Sequence, residues 1–232
     1  MIRMIELIKK IPILESLARK VGWHPVTSKT MPGVFPGSEN YWEERYFSGR
    51  DSGVGSFGKF AEFKAAVINE FVAKHDLRSV IEFGCGDGNQ LTLAKYPVYL
   101  GFDVSQTAVS KCQKLFAEGA SKQFRSMAGY AGETADVALS LDVIYHLVED
   151  DVFEDYMRTL FGSAIRYVVI YASDSGDNHG INVSHIRHRK FTPWIQLHLS
   201  SWKLVERIPN KYPYLGDYTQ GSFSDFFIYT KA

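Results

Sequence analysis

Along most of the chain, short runs of consecutive apolar residues alternate with stretches whose apolar positions recur every three or four residues. The runs suit strands buried on both faces, and the periodic stretches suit the helices that cover them. Strands are predicted over 79–83, 98–102, 123–126, 136–141 and 166–172. Helices are predicted over 59–74, 90–95, 106–118 and 151–161, and Thr192-Pro193 marks another helix start. In the helix over 59–74, Phe60, Phe63, Ala66, Val67 and Phe71 supply the apolar face. Strands spaced by helices imply right-handed crossovers and a parallel sheet covered on both sides. The rhythm breaks near the C-terminus, where 202–207 and 223–229 are strand-like with no helix between them. That break predicts an antiparallel pair at one edge of the sheet.

Ahead of this alternation the pattern differs. Ile2, Ile5, Ile8 and Ile11 recur in threes, and Leu14, Leu17, Ala18 and Val21 continue beyond Pro12, as two short helices or one kinked helix would require. Such an apolar face packs on the domain or on another subunit, and a homodimer is compatible with it. Arg3, Lys9, Lys10, Arg19 and Lys20 also suit peripheral contact with an anionic membrane. The segment 22–37, with Pro25, Pro32 and Pro36, reads as a linker or irregular arm. An aromatic and charged stretch, ENYWEERY, then leads into a glycine-rich loop over 48–58. The expected division is a helical arm and lid over 1–56 and an α/β domain over 57–232. The predicted fold is α/β: a Rossmann-like doubly wound sheet of seven mostly parallel strands, antiparallel near the C-terminus, with an N-terminal helical extension.

Composition adds limits. Lys plus Arg and Asp plus Glu number 26 each in 232 residues, so no general positive excess draws the chain to nucleic acid. Two cysteines, one in a glycine turn and one in a helical pattern, do not make a disulfide framework and suit a reducing cytoplasm. No apolar run approaches the roughly 18 residues of a membrane span, and no signal-peptide pattern stands at the start. A cytoplasmic location without membrane insertion is expected.

The chemistry concentrates after the first predicted strand. Val80-Ile81-Glu82-Phe83 runs directly into Gly84, Gly86 and Gly88, a turn in which a ligand can approach the backbone closely. Glycine turns alone are shared by many folds. Here the spacing is GxGxG, and Glu82 would repel a pyrophosphate while attracting a cation. The second strand ends in Asp103, placed where an acid accepts ribose hydroxyls.

With these residues in view, VIEFGCGDG followed by LGFDVS resembles the first two motifs of the class I S-adenosylmethionine-dependent methyltransferases. The resemblance spans 57–232 and implies S-adenosylmethionine as cofactor. It implies that Gly84, Gly86 and Gly88 line the methionine part, Glu82 holds the amino group through bridging hydrogen bonds, and Asp103 takes the ribose. Val104, Met127 and Ala128 would border the adenine, with Leu141 and Asp142 near the methionine end. The upstream pattern YWEERYFSGRDSGVGSFG is similar to a bacterial subgroup found among surface-polysaccharide and secondary-metabolite genes. That similarity makes Tyr41, Trp42, Tyr46, Arg50 and Gly55 lid candidates, with Arg50 meeting the cofactor carboxylate. Packing of the arm by Trp42 and Tyr46 is the alternative.

An oxygen or protonated nitrogen acceptor must lose a proton, and His146, four residues past Asp142, is placed to take it; a turn-packing histidine is the alternative. The loop after the fifth strand carries His185, Arg187, His188, Arg189 and Lys190. Its cations oppose a metal, so none is expected, and favour an anionic group on the acceptor bound by Arg187, His188 and Arg189, with His185 as a second acid or base. A solvated basic loop is the competing reading. Leu141-Asp142-Val143-Ile144-Tyr145 is not the Asn/Asp-Pro-Pro-aromatic signature of amino-methylating DNA or glutamine enzymes. A small molecule or glycan precursor is therefore the expected acceptor. A nicotinamide-dependent oxidoreductase is opposed by the glycine spacing, and a non-catalytic cofactor-binding module remains the other alternative.

Overall fold

Alternation of side chains along the strands determines where everything else packs. In β1 (Ser79–Phe83), Val80 and Ile81 are both buried yet belong to opposite faces of the sheet. The computed structural model describes residues 35–232, of which Gly37–Ala232 form one compact unit. The expected helices over 1–21 lie outside the described residues.

Within that unit the order is α1 (Ser38–Phe47), α2 (Gly58–Lys74), β1, β2 (Val98–Asp103), α3 (Gln106–Leu115), β3 (Lys122–Ser126) and β4 (Ala135–Leu141). It continues with α4 (Asp150–Gly162), β5 (Ala164–Ala172), α5 (Phe191–His198), β6 (Trp202–Ile208) and β7 (Asp225–Lys231). The strands lie in the order β3-β2-β1-β4-β5-β7-β6. The first five are parallel, and β7 inserts antiparallel between β5 and β6. One face is covered by α2 and α3 through Ile68, Phe71, Val72, Val109 and Cys112. The other is covered by α4 and α5 through Phe153, Met157, Leu160 and Ile195.

Three differences from the sequence reading have local causes. The helix expected over 90–95 is a single 3-10 turn, Gln90–Leu93, because the crossover from Gly88 to Val98 is too short for a full α-helix. The face of α2 is rotated: Ala66 is exposed, while Phe60, Lys64, Ile68 and Phe71 are buried. The last strand starts at Asp225 rather than 223, because Phe223 stacks on Tyr214 in the preceding loop.

Candidate functional site

Strand order reverses between β1 and β4, since β2 and β3 lie to one side and β5 to the other, and a crevice opens there beyond the carboxyl ends. It is a cavity of about 1310 Å3. Single-ligand sites usually occupy about 300–1,000 Å3, so there is room for two small molecules side by side.

The glycine turn forms one wall. Gly84 and Gly86 line the cavity with φ of +87° and +59°, a region glycine enters without strain. A Cβ on Gly86 would lie 2.5 Å from Ser52 Oγ, closer than carbon and oxygen tolerate, and 3.0 Å from the Tyr46 hydroxyl. Gly88 turns away, and a Cβ there would meet Cys112 and Phe116 of the α3 region. At the end of β2, Asp103 accepts the Gly86 amide at Oδ2 and the Ser105 amide at Oδ1, both at 2.9 Å. Each oxygen retains a lone pair for a further donor. Burial raises Asp103 to about 6, partly offset by those two amides. Glu82 is also buried and receives the Tyr99 hydroxyl at 2.6 Å. Burial lifts it to about 7 against the lowering effects of Tyr99 and the Lys64 charge. Val104, Met127, Leu141 and Asp142 line the cavity as well, whereas Ala128 is exposed outside it.

Helix α1 and the following loop close over the turn. Glu43 accepts Ser105 Oγ at 2.6 Å and Thr107 Oγ1 at 2.5 Å, which pins α1 to the start of α3. Ser52 and Asp87 exchange hydrogen bonds, the Ser52 amide to Asp87 Oδ2 at 2.9 Å and the Asp87 amide to Ser52 Oγ at 3.0 Å. Tyr46, Trp42 and Gly55 line the cavity, but Arg50 does not; Arg45 does, held by Asp51 at 3.4 Å.

Opposite the glycines, Asp142 adopts φ +60°, uncommon for a residue with a Cβ. Its carboxylate pairs with Lys64 Nζ at 2.6 Å and accepts the Tyr145 hydroxyl at 2.8 Å and Ser224 Oγ at 3.2 Å. Next along the wall, His146 Nδ1 lies 2.9 Å from the His185 carbonyl. A carbonyl only accepts, so Nδ1 carries the proton and Nε2 is left as an acceptor. Burial holds His146 down at about 4, and it stays neutral at neutral pH.

The basic loop divides. His185 and His188 line the cavity, and His188 Nδ1 is 2.5 Å from Ser173 Oγ. Arg187 and Arg189 do not line it. Arg187 bonds the Val148 carbonyl at 2.8 Å and pairs with Asp150 at 3.0 Å. Arg189 bonds the Leu147 and Val148 carbonyls and also pairs with Asp150. Among the described residues, no cluster of three or more His, Cys, Asp or Glu could hold a metal ion, and no helix is long and apolar enough to cross a membrane.

Sequence reasoning missed Lys64, Glu43 and Ser52. Lys64 had a signal: it stands four residues after Phe60 and four before Ile68, inside an apolar stripe. Ser52 and Glu43 had none, because their partners lie 35 and 62 residues away.

A seven-stranded sheet in this order, with a glycine turn after β1 and an acid ending β2, is the fold of the class I S-adenosylmethionine-dependent methyltransferases. The N-methyltransferase NodS from Bradyrhizobium japonicum, solved with S-adenosyl-L-homocysteine, superposes with TM-score 0.65 at 13% identity, covering 84% of this chain and 98% of that one. Magnesium protoporphyrin IX methyltransferase (ChlM) from Synechocystis, also solved with that product, gives 0.60 at 13% identity over 84% and 98%. The methyltransferase domain of a bacterial Hen1 gives 0.56 at 18% identity over 72% and 97%. The sequence itself matches no protein-family model and no curated protein.

Proposed function

We propose that the protein transfers a methyl group from S-adenosylmethionine to an oxygen or nitrogen atom of a small-molecule acceptor. The observation that carries this reading is the pair of buried carboxylates, Glu82 and Asp103, at the tips of adjacent parallel strands beside the glycine turn. Together they suit a cationic nucleoside without phosphates, and Glu82 beside the glycines would repel the pyrophosphate of a dinucleotide. When bound, that cofactor supplies an electrophilic methyl group on a positively charged sulfur that departs as a neutral thioether.

The chain's residues then bind, orient and exclude water. Glu82 receives the ammonium group, Asp103 the ribose hydroxyls, and Val104 and Met127 flank the purine. The segment 37–56 acts as the lid, with Tyr46 and Arg45 over the cofactor. Nε2 of His146 would take the proton that the acceptor heteroatom gives up.

Calorimetry tests the reading. S-adenosylhomocysteine should bind with micromolar or better affinity and nicotinamide adenine dinucleotide should not. Binding of the dinucleotide in its place, or of neither, refutes the proposal.

A further inference from the structure

The far end of the cavity is built by the loops after β5 and between β6 and β7, and its lining differs in kind from the cofactor end. Among the described residues, none that lines it from Gly180 to Ser224 is Asp, Glu, Lys or Arg. The two cations elsewhere in the lining, Arg45 and Lys64, are each paired with an aspartate. Arg187 and Arg189, the obvious anion binders by sequence, point into Asp150 and the carbonyls ahead of α4.

In place of charge there is a continuous wall of rings, tilted to one another by 48–76° as far as Phe223 and stacked at 28° between Phe223 and Tyr214, so that it offers ring faces and edges alike. Centroids run from Trp42 to His146 at 4.8 Å, His146 to Tyr145 at 4.5 Å and Tyr145 to His188 at 5.8 Å. The wall continues from His188 to Phe223 at 5.2 Å and from Phe223 to Tyr214 at 3.9 Å. Burial lowers the pKa of His146, His185 and His188, so the imidazoles in and beside this wall are neutral at neutral pH. An ionised carboxylate or phosphate placed here would lose its hydration with no cation to replace it. A flat apolar ring gains stacking and area burial instead.

We propose that the acceptor is an uncharged aromatic compound bearing a hydroxyl or amino group, stacked on the ring wall between Trp42 and Tyr214. This rests on the methyltransferase reading of the same cavity and replaces a sugar or anionic acceptor with an aromatic one. The ring lies on the wall, and its heteroatom reaches toward Nε2 of His146, which has no hydrogen-bond partner among the described residues.

The test is calorimetric titration of the full chain, with and without saturating S-adenosylhomocysteine, against four probes: 2-naphthol, 6-hydroxy-2-naphthoate, glucose and glucose 6-phosphate. With the product bound, 2-naphthol should bind at least about tenfold more tightly than its carboxylated analogue and than either sugar. Tyr218 lines this end and is 69% exposed, so Tyr218→Ala should leave folding intact. It should weaken 2-naphthol severalfold and leave S-adenosylhomocysteine affinity within about twofold. Val183→Lys, at another exposed lining position, should tighten 6-hydroxy-2-naphthoate severalfold by supplying the missing cation. Equal or tighter binding of either anion or of glucose by the parent overturns the proposal, as does no detectable 2-naphthol binding. If 2-naphthol binds but S-adenosylhomocysteine does not, the aromatic chamber stands and the methyltransferase reading falls.

Discussion

Burial of the Glu82 carboxyl disfavours its ionised form and outweighs the Tyr99 hydroxyl that favours it, which is why the folded chain lifts it from an ordinary 4.5 to about 7. Between those values the folded state holds more protons than the unfolded one, so this group's contribution to stability falls as pH rises from 4.5 through 7. Glu82→Gln removes that loss. Its stability advantage over the parent should grow across the same window and level above pH 7, at on the order of 1–3 kcal/mol. In the same variant S-adenosylhomocysteine affinity should fall about tenfold, because an amide offers no charge to an ammonium group. Thermal melts at pH 5 and 8 with calorimetry check both, and an unchanged affinity would remove Glu82 from the cofactor site. His146 shifts the opposite way: burial holds it at about 4, so as a base it stays available well below pH 6.5. With S-adenosylmethionine held saturating, so that protonation of Glu82 at about 7 and of Asp103 at about 6 does not limit binding, turnover should show no loss through pH 6.5 and should decline only toward pH 4. His146→Gln should lower kcat by about 100-fold or more at unchanged cofactor affinity. These shifts were invisible in the sequence, because a pKa follows from burial and neighbours distant in the chain.

At the scale of elements, α1 is tied to the domain at two points, by Ser38 to Glu149, Val148 and the His146 carbonyl, and by Glu43 to the start of α3. The Glu43 carboxylate takes the Ser105 and Thr107 hydroxyls and the Thr107 amide, while Ser105 Oγ accepts the Ala108 amide as the N-cap of α3. Glu43→Ala should cost about 1 kcal/mol and free the lid segment. Limited trypsinolysis should then cut faster at Arg45 or Arg50, and saturating S-adenosylhomocysteine should slow the cut again, since a ligand that binds only the closed form stabilises it. A cleavage rate equal to the parent's would show that Glu43 does not hold the lid. Helix α2 shows what periodicity conveys and where it misleads. Phe60 and Phe71 mark the buried face, but Lys64, at 1% exposure, lies in the same stripe as partner to Asp142. Apolar counting sets a charged residue on the solvent side, and only the carboxylate waiting at the end of β4 reverses that.

For the whole molecule, the strand reversal between β1 and β4 opens one cavity with two unlike ends, acidic beside the glycines and aromatic beside the late loops. The two ends should be separable. Replacing 214–220, which carries Tyr214 and Tyr218, by a short glycine-serine link, with the β6 and β7 pairing and Asn210 left in place, should keep S-adenosylhomocysteine affinity within about twofold and weaken 2-naphthol by about tenfold. Loss of both ligands at an unchanged melting temperature would mean the cavity does not divide in this way. Strands, most helices, the closing antiparallel pair and the placement of Glu82 and Asp103 at strand tips were legible in the sequence, because hydrophobic period and glycine spacing act over a few residues. Which of the late cations face the ligand was not legible. Arg187 and Arg189 turn to Asp150 while Tyr145, His188 and Phe223 meet along the cavity, and those choices depend on contacts between segments 35 to 43 residues apart. Local chemistry therefore determined the scaffold and the acidic pocket, and tertiary packing alone decided which charges were neutralised and what kind of surface the acceptor meets.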